Sequence, residues 1–300
     1  MIATTHRGGQ IGNDSHDGPH GRSGPVLLRA AGAIAVTVVF AAPVLLLVSG
    51  SLRPPGLPPL PRPELIPDTV SLDSYRRAIE LGDLTRATAN SALVATLTTI
   101  GSVLVASLAG FALARLKPAH ARPLLAASVV ALMVPPLVLL VPRFAVFRAL
   151  GLTDTLVPLI APALLATSPL YVLAYYVAFR RVSPDLYDAC RLVDLSSLAT
   201  WWRVGLPLVR PFTAAVAALC FITSWTNLFD PLVYIYRRDL YTVPLTLRSL
   251  ATLDPVNYPV FLAGAVLVTL PVIAAFLVVQ PVLVGQRADR RGSDTTWFVR

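Results

Sequence analysis

Six stretches of mainly apolar residues follow one another along the chain, at about 30–48, 91–114, 124–141, 156–179, 212–235 and 260–284, with polar or charged segments between them. Roughly 20 such residues cross the hydrocarbon core of a bilayer as a helix, so the pattern predicts six transmembrane helices. No strand-rich block and no second soluble domain interrupt it. The expected fold class is all-α, a polytopic membrane domain over 25–286 with polar tails at 1–24 and 287–300. Pro135, Pro136, Pro158, Pro162, Pro169 and Pro271 fall inside the apolar stretches. Membrane helices tolerate proline where neighbours or cavity water satisfy the freed carbonyls.

Between the spans, two segments have helical patterns of their own. Residues 71–80 read as a short amphipathic helix with Leu72, Tyr75 and Ile79 on one face. The loop between the fourth and fifth spans is longer and reads as a helix–turn–helix at about 182–211. Ser183 before Pro184 is a helix-start signal, a capping hydroxyl and then a proline in the first turn. Leu186, Ala189, Cys190 and Val193 fall at i, i+3, i+4 and i+7 and share a face, with Asp188 and Arg191 off it. Asp194, Ser196 and Ser197 can turn the chain and cap a second helix carrying Leu198, Trp201 and Trp202. Such a helix, standing out of the membrane, suits a groove in a partner.

Composition narrows the class. The chain is 55% hydrophobic and 14% charged, with a net charge of +9. That is far from the roughly one-quarter charge of a soluble domain. The basic residues do not form a nucleic-acid face: all but Lys117 are arginines, and they are scattered between spans. They obey the positive-inside rule instead. The N-tail (Arg7, Arg22, Arg29), the second loop (Arg115, Lys117, Arg122), the long loop (Arg180, Arg181, Arg191, Arg203, Arg210) and the C-tail (Arg287, Arg290, Arg291, Arg300) share one side. That side is expected to be cytoplasmic, with both termini and the loop. A polar tail precedes the first apolar stretch and five spans follow it, so it is expected to be a retained helix rather than a cleaved signal. His6, His16 and His20 read as part of a solvated tail rather than a metal tract. Cys190 in a loop and Cys220 in a span are not expected to pair.

The long loop runs Asp-Ala-Cys-Arg-Leu-Val-Asp-Leu-Ser-Ser (188–197) and then Trp-Trp-Arg-Val-Gly-Leu-Pro-Leu-Val-Arg-Pro (201–211). It resembles the coupling loop of ABC importer permeases, whose pattern is Glu-Ala-Ala, three residues, Gly, and a second helix ending Leu-Pro-Leu-x-x-Pro. No insertion or deletion is needed from Asp188 to Pro211. Further pieces resemble carbohydrate-uptake permeases of the maltose type in the same order: Asn90-Ser91 opening the second span, Met133-Val-Pro-Pro, Leu150-Gly-Leu-Thr-Asp-Thr, Trp225-Thr-Asn-Leu-Phe-Asp-Pro-Leu, Tyr241-Thr-Val-Pro-Leu, and Leu262-Ala-Gly-Ala in the last span. The chain departs from the family at Asp188 for Glu, Cys190 for Ala, Val193 for Asp and Asp194 for Gly, and in the fifth span Thr226 and Asn227 replace the usual Asn and acidic pair. Asp tolerates the positive φ that the glycine would supply.

The resemblance implies a type I permease in the bacterial cytoplasmic membrane and pairing with a second homologous permease. It also implies two ATPase subunits, an extracytoplasmic solute-binding protein, a sugar-like solute, and alternating access driven from the coupling loop. The residues it places there are Asp188, Ala189, Cys190, Arg191, Asp194, Ser196 and Pro207. Thr223, Ser224, Thr226, Asn227 and Asp230 form a polar strip that can line a path for a polyhydroxylated solute. Asp230 reads equally as an intramembrane acid or as an interfacial one near Arg237. No cofactor or metal is expected. The phosphate-cradling Gly-x-x-x-x-Gly-Lys-[Ser/Thr] loop cannot be written around Lys117, the only lysine, so ATP hydrolysis belongs to another chain. The alternatives are a permease for another solute such as glycerol phosphate, or a polytopic enzyme acting on lipid-linked sugar through Asp239 and Asp254.

Overall fold

The computed structural model describes residues 24–59, 62, 64–165, 168–253 and 256–293. The N-tail before Gly24, with its three histidines, and Asp254 lie outside them. Among the described residues every regular element is helical. In chain order these are α1 (Gly24–Ser51), α2 (Asp73–Gly82), α3 (Leu84–Arg115), α4 (Pro118–Leu132), α5 (Leu140–Ala149), α6 (Val157–Leu164), α7 (Pro169–Arg180), α8 (Pro184–Leu192), α9 (Ser197–Thr200), α10 (Leu206–Leu208), α11 (Arg210–Trp225), α12 (Phe229–Tyr234), α13 (Val243–Leu253) and α14 (Tyr258–Ser293). The chain divides into a unit ending at Leu46, to which the first part of α1 belongs, and a unit from Leu47 onward.

Among the described residues four segments are long and apolar enough to cross a membrane: Ala31–Ser51, Leu84–Arg115, Val157–Arg180 and Tyr258–Pro281. Two more pass only as bent pairs. Pro118–Leu132 meets Pro136–Ala149 at 88°, and Ser197–Leu208 meets Arg210–Trp225 at 85°. Prolines explain both breaks. Pro135 and Pro136 lack the N–H groups that would continue α4, and Pro211 can open α11 but not extend α10. The fifth span is also shorter than the expected 212–235. Its helix ends at Trp225, and α12 resumes only at Phe229, so the polar strip falls on the interruption.

In the larger unit α3 is the central helix and packs on α6, α7 and α11. Its small residues let neighbours approach closely, as packing in lipid favours. A Cβ on Gly110 would stand 2.5 Å from the Tyr175 Cβ and 2.8 Å from the Tyr176 backbone nitrogen. The largest core cluster lies around this crossing and includes Phe111, Tyr175, Phe179, Tyr187 and Trp201.

The helix at α2 forms where the periodicity places it, but turns a different face inward. Ser74 and Ala78 are buried, while Leu72 and Ile79 are exposed. The reason is a hydrogen bond and a close fit. The Ser74 hydroxyl donates to the Arg53 carbonyl at 2.6 Å, and Ala78 packs with Leu84, Val260 and Ala263.

Candidate coupling loop and solute path

The long loop folds as two short helices joined by a left-handed residue. Asp194 has φ 55°. Its N–H donates to the Arg191 carbonyl at 3.0 Å, and the Leu195 N–H donates to the Cys190 carbonyl at 3.0 Å. This pair of bonds is the Schellman closure of a helix C-terminus, with Asp194 in the place that usually holds glycine. α9 then starts with Ser196 as its N-cap, the hydroxyl accepting from the Ala199 N–H at 3.2 Å. A π-helical turn, Trp201–Gly205, carries the chain into α10 and Pro207. Gly205 lies against Phe179 and Phe111.

Two expectations for α8 change. Ser183 precedes the helix but does not cap it. Its hydroxyl donates to the Asp185 carboxylate at 3.3 Å, since the proline that follows leaves one fewer backbone donor to satisfy. The apolar face also divides. Cys190 turns inward beside Tyr187, and both are buried, while Leu186, Ala189 and Val193 face out. Packing selects the inward residues. The Tyr187 ring meets Phe111 edge-on at 5.8 Å, and the Arg115 guanidinium lies 4.8 Å over it. Burial pushes the Tyr187 phenol up, and the charge of Arg115 offsets part of that. Outward, Leu192 is 86% and Val193 68% exposed, and Leu198 and Trp202 are exposed as well. Asp188 and Arg191 pair at 3.1 Å, both well exposed.

The polar strip diverges into three settings. Thr223 bonds back to the Leu219 carbonyl at 2.9 Å and approaches the Tyr171 hydroxyl at 3.4 Å. Thr226, exposed, donates to the Ile222 carbonyl and lines a groove with α13 and α14. Asn227 and Asp230 stay together: the amide donates to the carboxylate at 2.7 Å, and the Asp230 N–H returns a bond to the Asn227 side-chain oxygen at 3.3 Å. The cation beside Asp230 is Arg143 on α5, at 3.1 Å, not Arg237. The two side chains are 29% and 21% exposed, an ion pair at the edge of solvent.

Arg237 serves another cluster. It holds Asp239 through two bonds, and Arg86 stands 3.8 Å from the same carboxylate. The bond from Arg237 keeps the Asp239 carboxyl below its usual range. Asn90 donates to the carbonyls of Asp239 and Tyr241, at 2.9 and 3.0 Å, and the Ser91 hydroxyl accepts from the Val243 N–H at 2.8 Å. The start of the second span thus clamps the loop before the last one. Asp239 is fully engaged in this clamp.

Asp154, inside the Leu150-Gly-Leu-Thr-Asp-Thr piece, stands at φ 59°, and nothing in that piece announces its partners. Its carboxylate accepts from the N–H groups of Tyr236 and Arg237, both at 2.9 Å, and its own N–H donates to the Tyr234 carbonyl at 2.8 Å. Both cysteines are free and buried. Among the described residues no three His, Cys, Asp or Glu side chains converge as metal ligands would.

Comparison with known proteins places this geometry. A family model described as "Binding-protein-dependent transport system inner membrane component" matches residues 86–284. The trehalose transport system permease protein SugB of Mycobacterium tuberculosis is 32% identical over 241 residues, covering 79% of this chain and 87% of that protein. The arabinooligosaccharides transport system permease protein AraQ of Halalkalibacterium halodurans is 29% identical, covering 71% and 76%. Among solved structures, a chain of a bacterial ABC transporter involved in the import of the acidic polysaccharide alginate superposes with a TM-score of 0.72 at 19% identity, over 87% of this chain and 98% of that one.

Proposed function

The chain belongs to the family of binding-protein-dependent transport system inner membrane components, and from that premise we propose that it carries a sugar or sugar derivative, driven by a separate ATPase through residues 182–211. As a multi-pass permease subunit it moves a solute and transforms none. Its relatives are permeases for trehalose and arabinooligosaccharides, which supports a sugar-like cargo. The reading includes a second homologous permease, two ATPase subunits and an extracytoplasmic solute-binding protein. It puts both termini and the loop in the cytoplasm, in keeping with the excess of arginine there. The permease domain runs over 25–286, between cytoplasmic tails.

The observation that carries the coupling role is the exposure of the apolar side chains Leu192, Val193, Leu198 and Trp202 on a closed helix–turn–helix. Exposed apolar patches rimmed by charge mark interaction sites. In this reading ATPase closure displaces α8, and the motion passes through the packing of Tyr187, Phe111 and Arg115 to the spans. Asp188, Ala189, Arg191, Asp194, Ser196 and Pro207 shape the loop, while Cys190 anchors it from within. Thr223, Thr226, Asn227 and Asp230 face the solute path.

Co-expression with the ATPase, purification in mild detergent and uptake across a panel of labelled sugars test the proposal. The complex should retain the ATPase and take up a sugar, and the chain alone should hydrolyse no ATP. Turnover by the isolated chain that survives removal of contaminating ATPases would sink it.

A further inference from the structure

A cavity of about 280 Å³ lies where the ends of α3 and α7 meet the start of α8. Its wall includes Arg115, Arg180, Arg191, Asp188, Tyr187 and Pro184. Arg115 is the last residue of α3 and Arg180 the last of α7, so both close spans at the same level.

The charge in this wall is not balanced. Among the described residues neither Arg115 nor Arg180 has a carboxylate partner, and Asp188 is matched by Arg191. The carbonyl ends of α3 and α7 each bring about half a negative charge, so a surplus of about one positive charge remains. Nη1 of Arg115 and the Tyr187 hydroxyl are shut off from solvent and so face away from the cavity, which Arg115 lines with the rest of its side chain. Three guanidinium side chains around one cavity with a single carboxylate leave positive charge there without a counterion, which points to an anionic acceptor. The Arg115 guanidinium is held over the rings of Tyr187, at 4.8 Å, and Phe111, at 5.3 Å, which fixes its plane in advance. A planar fork of donors, set in place by aromatic stacking, matches a phosphate group. The cavity has room for one with water around it, since a water takes about 30 Å³ of liquid.

We propose that this cavity binds a phosphate group, from an anionic lipid headgroup or from free phosphate, and that the bound group ties α8 to the ends of the second and fourth spans. Its two rims belong to different parts of the machine. Arg115 and Arg180 ride on the spans, whereas Arg191 and Tyr187 ride on the coupling helix. Occupancy therefore sets how firmly the coupling helix is held, a property that rests on the coupling role proposed above. The binding itself does not rest on it.

The test uses the full chain in nanodiscs and needs no ATPase, so it can fail or succeed independently of the coupling role. Unfolding midpoints are read in phosphatidylcholine discs, in the same discs with inorganic phosphate against chloride at matched ionic strength, and in discs containing phosphatidylglycerol. Occupancy should raise the midpoint by about 2–5 °C. Arg180→Gln, which changes an exposed side chain, should weaken binding about tenfold, the worth of one charge-assisted contact. Asp188→Asn should tighten it by freeing Arg191, and Arg248→Gln, on α13, should change nothing. A rise with phosphate identifies the free anion, and a rise only with phosphatidylglycerol identifies the lipid. No rise in either disc, or a rise that Arg180→Gln and Asp188→Asn leave unaltered, overturns the site. So does a rise obtained only when the ATPase is added, which would give the cavity to an acidic side chain of that partner.

Discussion

Arg143 places its Nη2 3.1 Å from Oδ1 of Asp230 across 87 positions of chain, at the point where the fifth span loses its helix. Asn227 holds the other carboxylate oxygen. The interruption is therefore an organised polar junction between the third and fifth spans. Removing either charge leaves the other partly buried and unpaired, at a cost of roughly 1–3 kcal/mol. Asp230→Ala and Arg143→Ala should each lower uptake while the chain still reaches the membrane. The reversed pair, Arg143→Asp with Asp230→Arg, should recover part of it. Uptake at matched membrane levels checks this, and unchanged uptake in Asp230→Ala would remove that residue from the solute path.

Asp194 closes α8 at φ 55°. Asp194→Gly should be neutral or slightly stabilising, because glycine takes that conformation without strain. Asp194→Val should cost about 1–3 kcal/mol and weaken ATPase retention. Co-purification of the ATPase with both variants decides the matter. A wild-type result for valine with a failing glycine would mean that Asp194 acts through its charge.

Leu192 is the most exposed apolar residue of the coupling helix, 86% open to solvent. Leu192→Asp should abolish ATPase retention and uptake and leave the unfolding midpoint of the isolated chain within about 0.5 kcal/mol of wild type. Asp188→Lys should also uncouple, since it reverses charge on the same rim. A permease carrying Leu192→Asp that still retains its ATPase would move the docking surface elsewhere.

At Gly110 the nearest neighbours of an added Cβ include backbone atoms of α7, the Val172 oxygen at 2.9 Å and the Tyr176 nitrogen at 2.8 Å. Gly110→Ala should destabilise the α3–α7 crossing by about 1–3 kcal/mol. Gly264→Ala should cost less, because there the closest atom is the end of the Leu247 side chain, which can turn away. Thermal unfolding of the two variants in detergent gives the comparison.

The Asp239 carboxyl is held below its usual range by Arg237, so the clamp on the loop before α13 is complete at neutral pH. Its contribution is full above about 3.9, the ordinary aspartate value, and is lost as pH falls through the lower folded value. Amide exchange in 238–242 should stay slow in mild acid and quicken only below that range. Arg237→Gln should bring the loss up toward the ordinary value. The energy is small, as for any exposed pair, so exchange is a better readout than global unfolding.

Local pattern carried the architecture a long way. The spans, the helix–turn–helix and the cap at Ser196 are features of neighbouring residues, which periodicity and turn chemistry report directly, while the left-handed turn at Asp194 came from the family glycine at that place. Arg143 with Asp230, Asn90 with Asp239, and Asp154 with Tyr236 join positions far apart, and no spacing announces them. The inward faces of α2 and α8 were hidden for a related reason. An amphipathic stripe tells which residues are apolar, but Ser74 and Tyr187 are buried because Arg53 and Phe111 happen to lie opposite them. Cys190 goes in with Tyr187, and the larger Leu192 is left out. The interruption after Trp225 was hidden too, since the residues that follow it, Leu228 and Phe229, continue the apolar run.

The third and fifth spans are riveted at two levels. Asp154 takes two backbone N–H groups and gives its own to Tyr234, while Arg143 grips Asp230 nearby. Parting these spans would mean breaking four bonds together, whereas swinging them as one piece breaks none. The fifth span already has a joint for such a swing, the 85° corner before Arg210, at the opposite end from the rivets. In the transport role proposed above, the pair works as a single oar, with its blade at the polar strip and its handle continuous with the loop that carries Trp201 and Trp202.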